Sequence, residues 1–220
     1  MDGDTTKKKD SYEKILTAFS EGEADVLVGT QMIVKGHDFP NVTLVGVLAA
    51  DLSLNDSDYR AGERTFQLLT QAAGRAGRGS KPGEALIQTY RPEHYSIVRA
   101  AEQDYEAFYE EEILYRELGE YPPASHMLAV LITARQEEEG EELARRLKES
   151  IDEQKKEIKL IGPAKASIGK LNDLFRFVIY CKSSDYQVLI EIKDSMEALI
   201  QTMERRNETV QFDFDPMDSY

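Results

Sequence analysis

The sequence predicts an α/β chain: a parallel sheet covered by helices, followed by a smaller α+β domain of ferredoxin-like order. Three observations point there. Short apolar runs alternate with helical patterns through the first half, Tyr121-Pro122-Pro123 interrupts that rhythm, and the second half reads β-α-β-β-α-β. The boundaries that follow are 1–118, a linker at 119–123, and 124–220.

Ser11 to Phe19 carries Tyr12, Ile15, Leu16 and Phe19 at helical spacing, and Glu21-Gly22 ends it. Asp25-Val26-Leu27-Val28-Gly29 is an apolar run of the kind that forms a buried parallel strand. Thr43 to Ala50 is a second such run, with Asp51 at its end, and Glu84 to Tyr90 a third. Between them Arg60 to Arg75 reads as a long helix, and Glu93 to Leu118 as one or two more. Pro-Pro then ends a helix and stiffens the connection. His126 to Ala134 reads as a strand, Gln136 to Lys156 as a helix, and a short strand is expected around Ala166 to Lys170. Leu174 to Lys182 follows as a strand, Asp185 to Arg206 as a helix, and Val210 to Asp215 as a half-buried strand.

Composition narrows the function. The 220 residues are 41% hydrophobic and 31% charged, ordinary for a globular chain, and carry a net charge of −14. Both halves are acidic, so any contact with nucleic acid must be made locally by a few cations and backbone amides. No apolar run approaches the ~20 residues of a membrane span. The single Cys181 excludes an internal disulfide and a cysteine-rich zinc site within these residues, and no metal site is expected here. A reducing cytoplasm is the expected compartment.

Two stretches carry chemistry. Gln71-Ala72-Ala73-Gly74-Arg75-Ala76-Gly77-Arg78 sets two arginines three residues apart among small residues, at the end of a helix. Arginine presents a rigid fork of donors that suits phosphate oxygens. The competing reading is a helix finishing with cations that suit its dipole. Upstream, Gly29-Thr30-Gln31-Met32-Ile33-Val34-Lys35-Gly36-His37-Asp38-Phe39-Pro40 follows the first apolar run, where the ends of parallel strands bind ligands. Thr30 offers a hydroxyl to a phosphate, Gly36 permits close approach, and Asp38 can accept from a ribose or support an arginine; alone, the stretch is also a plain strand-ending turn.

Together, T-x5-G-x-D and Q-x-x-G-R-x-G-R resemble motifs V and VI of superfamily 2 helicases. The runs G-T-Q-M-I-V-K-G-H-D-F-P-N-V-T-L-V, E-R-T-F-Q-L-L-T-Q-A-A-G-R-A-G-R-G and P-G-E-A-L-I-Q-T-Y-R-P-E-H are similar to those of the PriA-type primosomal proteins N′. Leu160 to Ala164 and Phe212 to Pro216 match that family's C-terminal domain.

The resemblance implies part of the second RecA-like lobe of a 3′-to-5′ DNA helicase that recognises branched forks and restarts replication by primosome assembly. Arg75 and Arg78 would then be arginine fingers toward ATP and Mg²⁺ held with another lobe, and Gln71 would join the nucleotide or its water network. Gly36, Asp38 and Gly74 would border the nucleotide, while Thr30 and Lys35 would touch DNA. Forked or single-stranded DNA, the single-strand-binding protein and primosome proteins are the implied partners, with no membrane among them.

The chain lacks the phosphate loop G-x-x-x-x-G-K-[ST], which Gly169-Lys170-Leu171 only imitates, and lacks the family's cysteine-rich zinc module. Zinc is therefore expected only upstream, and these residues alone are expected not to hydrolyse ATP. In the second half, Phe175, Phe177, Ile179 and Cys181 read as core, while Arg176 and Tyr180 face the other way and are candidates for DNA contact. The other readings are a non-catalytic module that docks on DNA or protein, and a piece of another superfamily 2 repair helicase.

Overall fold

A computed structural model describes residues 11–33, 39–55, 58–78, 80–152, 157–203 and 208–220. The chain divides into two compact units. One takes in Met1–Asp56 and Ala61–Tyr109, the other Ser57–Arg60 and Glu110–Tyr220.

In the first unit, β1 (Leu44–Val47) pairs in parallel with β2 (Glu84–Ile87). Helix α1 spans Ser11–Ser20, α2 Ala61–Ala73 and α3 Tyr95–Glu102, and α4 (Tyr105–Gly119) begins here. Phe66 and Leu69 of α2 turn inward against Ala50, Ile97, Ala100 and Phe108, with Val47 and Ile87 of the sheet beneath. The Phe66 and Phe108 rings stack 4.1 Å apart. Of the one or two helices predicted from Glu93 there are two, separated at Gln103, whose φ of 55° is left-handed. His94 opens α3, its Nδ1 accepting from Ser96 N at 3.3 Å.

The expected strand at 25–29 does not form. Val26 and Val28 are 74% and 73% exposed, so this apolar run lacks the cover that a buried parallel strand requires.

The second unit has the predicted order. β3 (His126–Ala134), α5 (Glu137–Asp152), β4 (Lys159–Leu171), β5 (Leu174–Ser183), α6 (Tyr186–Thr202) and β6 (Thr209–Phe214) build an antiparallel sheet in the order β4-β5-β3-β6. Leu128, Val130 and Ile132 of β3 and Phe177, Ile179 and Cys181 of β5 meet Leu143 and Leu147 of α5 and Leu189, Ile192 and Met196 of α6. The alternation read at Phe175–Cys181 is therefore the core alternation. The predicted ends of α5 at Lys156 and of α6 at Arg206 lie outside the described residues.

β4 is far longer than the short strand expected. Gly162-Pro163 hides it from sequence reading, because proline cannot donate to a ladder. An edge strand tolerates this, and the pairing with β5 shifts register between Ile161 and Ala164 and again between Lys165 and Lys170. Cys181 is fully buried, and burial pushes its thiol up to about 12. Thiol titration with a disulfide reagent should therefore give no reaction in the folded state and one equivalent on unfolding.

The division between the units falls inside α4, ahead of the predicted linker at 119–123. Side-chain packing is the reason. Tyr59 stacks on Tyr121 with ring centres 4.9 Å apart and 2° between planes. The Arg116 guanidinium covers the outer face of the pair 4.8 Å from the Tyr59 ring, and the Lys182 ammonium lies 3.2 Å from the Tyr121 ring. Two tyrosines are thus sandwiched between two cations. Arg116 is held by Glu112 at 2.6 Å and donates to Pro122 O at 2.7 Å; Lys182 donates to Gly119 O at 2.8 Å. Tyr59 Oη donates to Pro216 O at 2.7 Å, and Arg60 reaches the Met217 sulfur. The last turns of α4, the Pro-Pro segment and residues 58–60 are consequently one packed body with the sheet.

Burial, and then the neighbouring Lys159, lower the Lys182 amine to about 8, against a smaller opposing pull from Glu120. The unfolded chain holds this proton to about 10.5, so between about 8 and 10.5 the unfolded state binds more protons. This group therefore adds stability as pH rises through that window. Lysine side-chain NMR should show one amine, lost in Lys182→Met, titrating near 8; a midpoint at the ordinary lysine value would contradict it.

Candidate functional site

Helix α2 presents the arginine motif because its apolar residues fall on one side. Phe66, Leu69 and Ala72 are buried, which leaves Gln71 exposed. Beyond Ala73 the chain tightens: Gly74 N donates to Thr70 O at 3.0 Å, Arg75 N to Ala72 O at 3.0 Å and Ala76 N to Ala73 O at 3.2 Å. Arg75 is half-buried and Arg78 exposed. Arg78 Nε donates back to Gly74 O at 2.7 Å, so the second arginine is folded against the turn carrying the first.

Gly77 closes the turn at a φ of 73°, a left-handed conformation that favours glycine. Its amide donates to Val42 O at 3.0 Å, just ahead of β1. On its other side it meets Gly83, just ahead of β2. A Cβ on Gly83 would stand 2.1 Å from Gly77 N and 2.4 Å from Ala76 C. The two glycines bring backbone against backbone, and Glu84 N then donates to Thr43 O at 2.8 Å to start the sheet ladder.

Val42 also connects this turn to the upstream motif. Its amide donates to Phe39 O at 3.2 Å, and the Phe39 ring meets Phe19 of α1 edge-on at 5.1 Å. Thr30 is exposed, and its carbonyl accepts from Ile33 N at 3.1 Å in a 3₁₀ turn over Gln31–Ile33. Lys35, Gly36 and Asp38 lie outside the described residues. So the structure ties the trailing end of the first motif to the glycine of the second, and leaves Gln71 and Arg78 facing outward. Exposed guanidinium and amide donors beside glycines form a donor set that fits a polyphosphate approached from outside the unit.

Asp51 takes a part that sequence reading missed. It is 8% exposed, accepts from Thr89 Oγ1 at 2.5 Å and Tyr90 N at 2.9 Å, and so joins the loops after β1 and β2. Those two hydrogen bonds hold its carboxyl below the ordinary aspartate value. The signal was an aspartate directly behind an apolar run.

Arg176 and Tyr180 belong to the second unit, on the sheet face opposite the helices. Arg176 Nη1 donates to Ile168 O at 3.2 Å. The Tyr180 hydroxyl accepts from Tyr220 N at 2.9 Å, and burial raises its pKa above the ordinary tyrosine value. A hollow of about 310 Å³ opens here, lined by Tyr121, Tyr180, Tyr220, Lys165 and Lys182 among others. Among the described residues no cluster of histidine, cysteine and carboxylate is placed to hold a metal, and no helix is long and apolar enough to cross a membrane.

Comparison with known proteins resolves what this geometry belongs to. The helicase conserved C-terminal domain matches residues 1–80, and the primosomal protein N C-terminal domain matches residues 117–217. Replication restart protein PriA of Bacillus subtilis is 42% identical over 98% of this chain. The chain belongs to the PriA family. The PriA proteins of Synechocystis and Chlamydia pneumoniae are 41% and 43% identical over 83% and 84% of it. The chain spans about a quarter of these relatives' length: 27%, 22% and 25%. Among solved structures, a de novo designed protein, Foldit4, is similar at a TM-score of 0.34 and 13% identity, covering 41% of this chain and 94% of that one, which is too weak a likeness to bear on the fold. The turn Gly74–Arg78 and the Phe39–Val42 segment fall within the residues that match the helicase domain, and strands β3 to β6 within those that match the primosomal domain.

Proposed function

We propose that this chain is the C-terminal part of an ATP-dependent 3′-to-5′ DNA helicase that acts on branched replication forks and restarts replication by primosome assembly. The observation that carries this reading is the hydrogen bond from Gly77 N to Val42 O, which couples the arginine turn to the motif that precedes it. Through Val42, whose own amide donates to Phe39 O, backbone contact runs from one motif to the other, which is the connection that coupling of nucleotide and DNA contacts would use.

In this reading Arg75 and Arg78 complete an ATP site whose phosphate loop lies on another lobe of the intact protein. Their fixed positive charge stabilises negative charge that grows on the transferring phosphoryl oxygens. Gln71, exposed one helical turn before Arg75, orients the nucleotide or its water, and Gly74 keeps the backbone low enough for approach. Gly36 and Asp38 border the same nucleotide. Bound ATP with Mg²⁺ would supply the free energy of hydrolysis; the residues of this chain supply positioning and charge. Thr30 and Lys35 contact the DNA backbone. Arg176 and Tyr180, beside the tyrosine-lined hollow, give the C-terminal domain a second DNA contact. With a net charge of −14, all such contacts are local and salt-sensitive. The single-strand-binding protein, primosome proteins and a cytoplasmic location complete the proposal.

The test is direct. The intact protein should unwind a forked duplex only with ATP and Mg²⁺, whereas residues 1–220 alone should bind forked DNA weakly and show no turnover. An intact protein without DNA-stimulated hydrolysis would remove the helicase reading.

A further inference from the structure

The face of the second sheet that looks away from α5 and α6 is not bare. Leu128, Val130 and Ile132 of β3 point into the helix-side core, so Met127, Ala129 and Leu131 point the other way. They are nevertheless 3%, 0% and 7% exposed. Part of their cover is the segment that follows β6. Asp215 turns the chain at a φ of 47°, its amide donating to Met127 O at 2.7 Å, and Pro216 is buried behind it.

Tyr220 then crosses the sheet. Its amide donates to Tyr180 Oη at 2.9 Å, and its hydroxyl donates to Asp213 Oδ2 at 2.6 Å. In the ladder Tyr180 and Asp213 are the two partners of Ala129, one on each side. Tyr220 therefore spans from β5 to β6 across a row whose middle member is only a methyl. A ring laid there accounts for the full burial of Ala129.

A base of a single strand would take the same place. Sheets that bind single-stranded nucleic acid set aromatic side chains and cations on an open face, and bases stack there. On this face Tyr180 lines the hollow with Lys165 and Lys182, and Arg176 lies four residues from Tyr180 on the same side of β5. A duplex keeps its bases in the stack, so the exchange of one ring for another selects a single strand.

We propose that residues 217–220 are an autoinhibitory strap: Tyr220 holds the place of a base, and single-stranded DNA binds this face by displacing it. This inference rests on the proposed DNA contact of Arg176 and Tyr180. Residues 216–220 add no strand to the sheet, and Met217 is 65% exposed, so the segment can open without disturbing the ladder. The apparent affinity is the intrinsic affinity multiplied by the fraction of molecules whose strap is open. Weakening the strap therefore tightens binding without adding a contact.

The experiment measures binding of a fluorescent single-stranded oligonucleotide to the intact protein at fixed salt. Tyr220→Ala should tighten binding roughly 10-fold, and Tyr220→Phe, which keeps the ring and loses the bond to Asp213, by a smaller factor. Adding Arg176→Glu to Tyr220→Ala should cancel the gain. Unchanged or weaker binding in Tyr220→Ala overturns the strap. A fluorine on the Tyr220 ring of the otherwise unaltered protein decides the matter if that variant melts early. Saturating oligonucleotide should move its NMR resonance to that of a mobile tyrosine, and a resonance that stays in place while the strand binds overturns the proposal. If Arg176→Glu weakens binding in the wild-type background while Tyr220→Ala gives no gain, only the strap fails. If Arg176→Glu changes nothing in either background, the DNA contact on this face fails with it.

Discussion

Replacing Arg75 by alanine in the intact protein is expected to cut DNA-stimulated ATP hydrolysis by roughly 10³-fold, the lower end of what an arginine finger contributes. Arg78→Ala should fall in the same range. Fork binding should stay within a few-fold, because in the proposed finger role these side chains answer to charge that exists fully only in the transition state. Lysine is an informative replacement. It keeps the charge and loses the fork, including the Nε donor that joins Arg78 to Gly74 O at 2.7 Å, so only a small part of the rate should return. Steady-state hydrolysis at saturating ATP and DNA measures all four variants. Full turnover in Arg75→Ala would leave the pair as a helix end suited to its dipole.

The second large effect is on stability. Gly83→Ala should destabilise the first unit by about 3 kcal/mol or more. The added methyl meets Gly77 N at 2.1 Å and Ala76 C at 2.4 Å, and both obstacles are backbone, with no side-chain rotamer to yield. Gly77→Ala should do comparable damage, since its Cβ would lie 2.7 Å from Gly83 N at a φ of 73°. Gly46→Ala is the control. It sits in β1 with nothing within 4 Å of the added atom, and should be neutral or slightly stabilising. Thermal denaturation of the three variants separates a general intolerance of alanine from a specific collision. Equal melting temperatures would mean that the two backbones do not approach as described.

The contrast between what could and could not be read from residues follows contact distance along the chain. Helices α5 and α6 and strands β5 and β6 were legible because their apolar residues recur at three and four, or at two, within one element, and β3 because it is one continuous apolar run. The same rule misled at 25–29, where Val26 and Val28 have the spacing of a buried strand and stand in the open. β4 was underread because Pro163 argues against a strand, and only the sheet order makes it an edge. The arginine motif was legible as residue types at fixed spacing. Its support was not: Gly77 meets Val42 and Gly83, and neither pairing leaves a local pattern. The sandwich of Lys182, Tyr121, Tyr59 and Arg116 is the extreme case, assembled from three separate stretches, none of which reads as unusual.

The irregular course of β4 has a further consequence, for how molecules of this protein treat one another. A sheet of four strands ends in two open rows of backbone donors and acceptors, each a template on which a second molecule could add. Along β4 that template is spoiled. Pro163 offers no N–H, two register shifts bend the row, and Lys159, Lys165 and Lys170 place charge along it. Along this edge a second chain therefore meets no continuous ladder to extend.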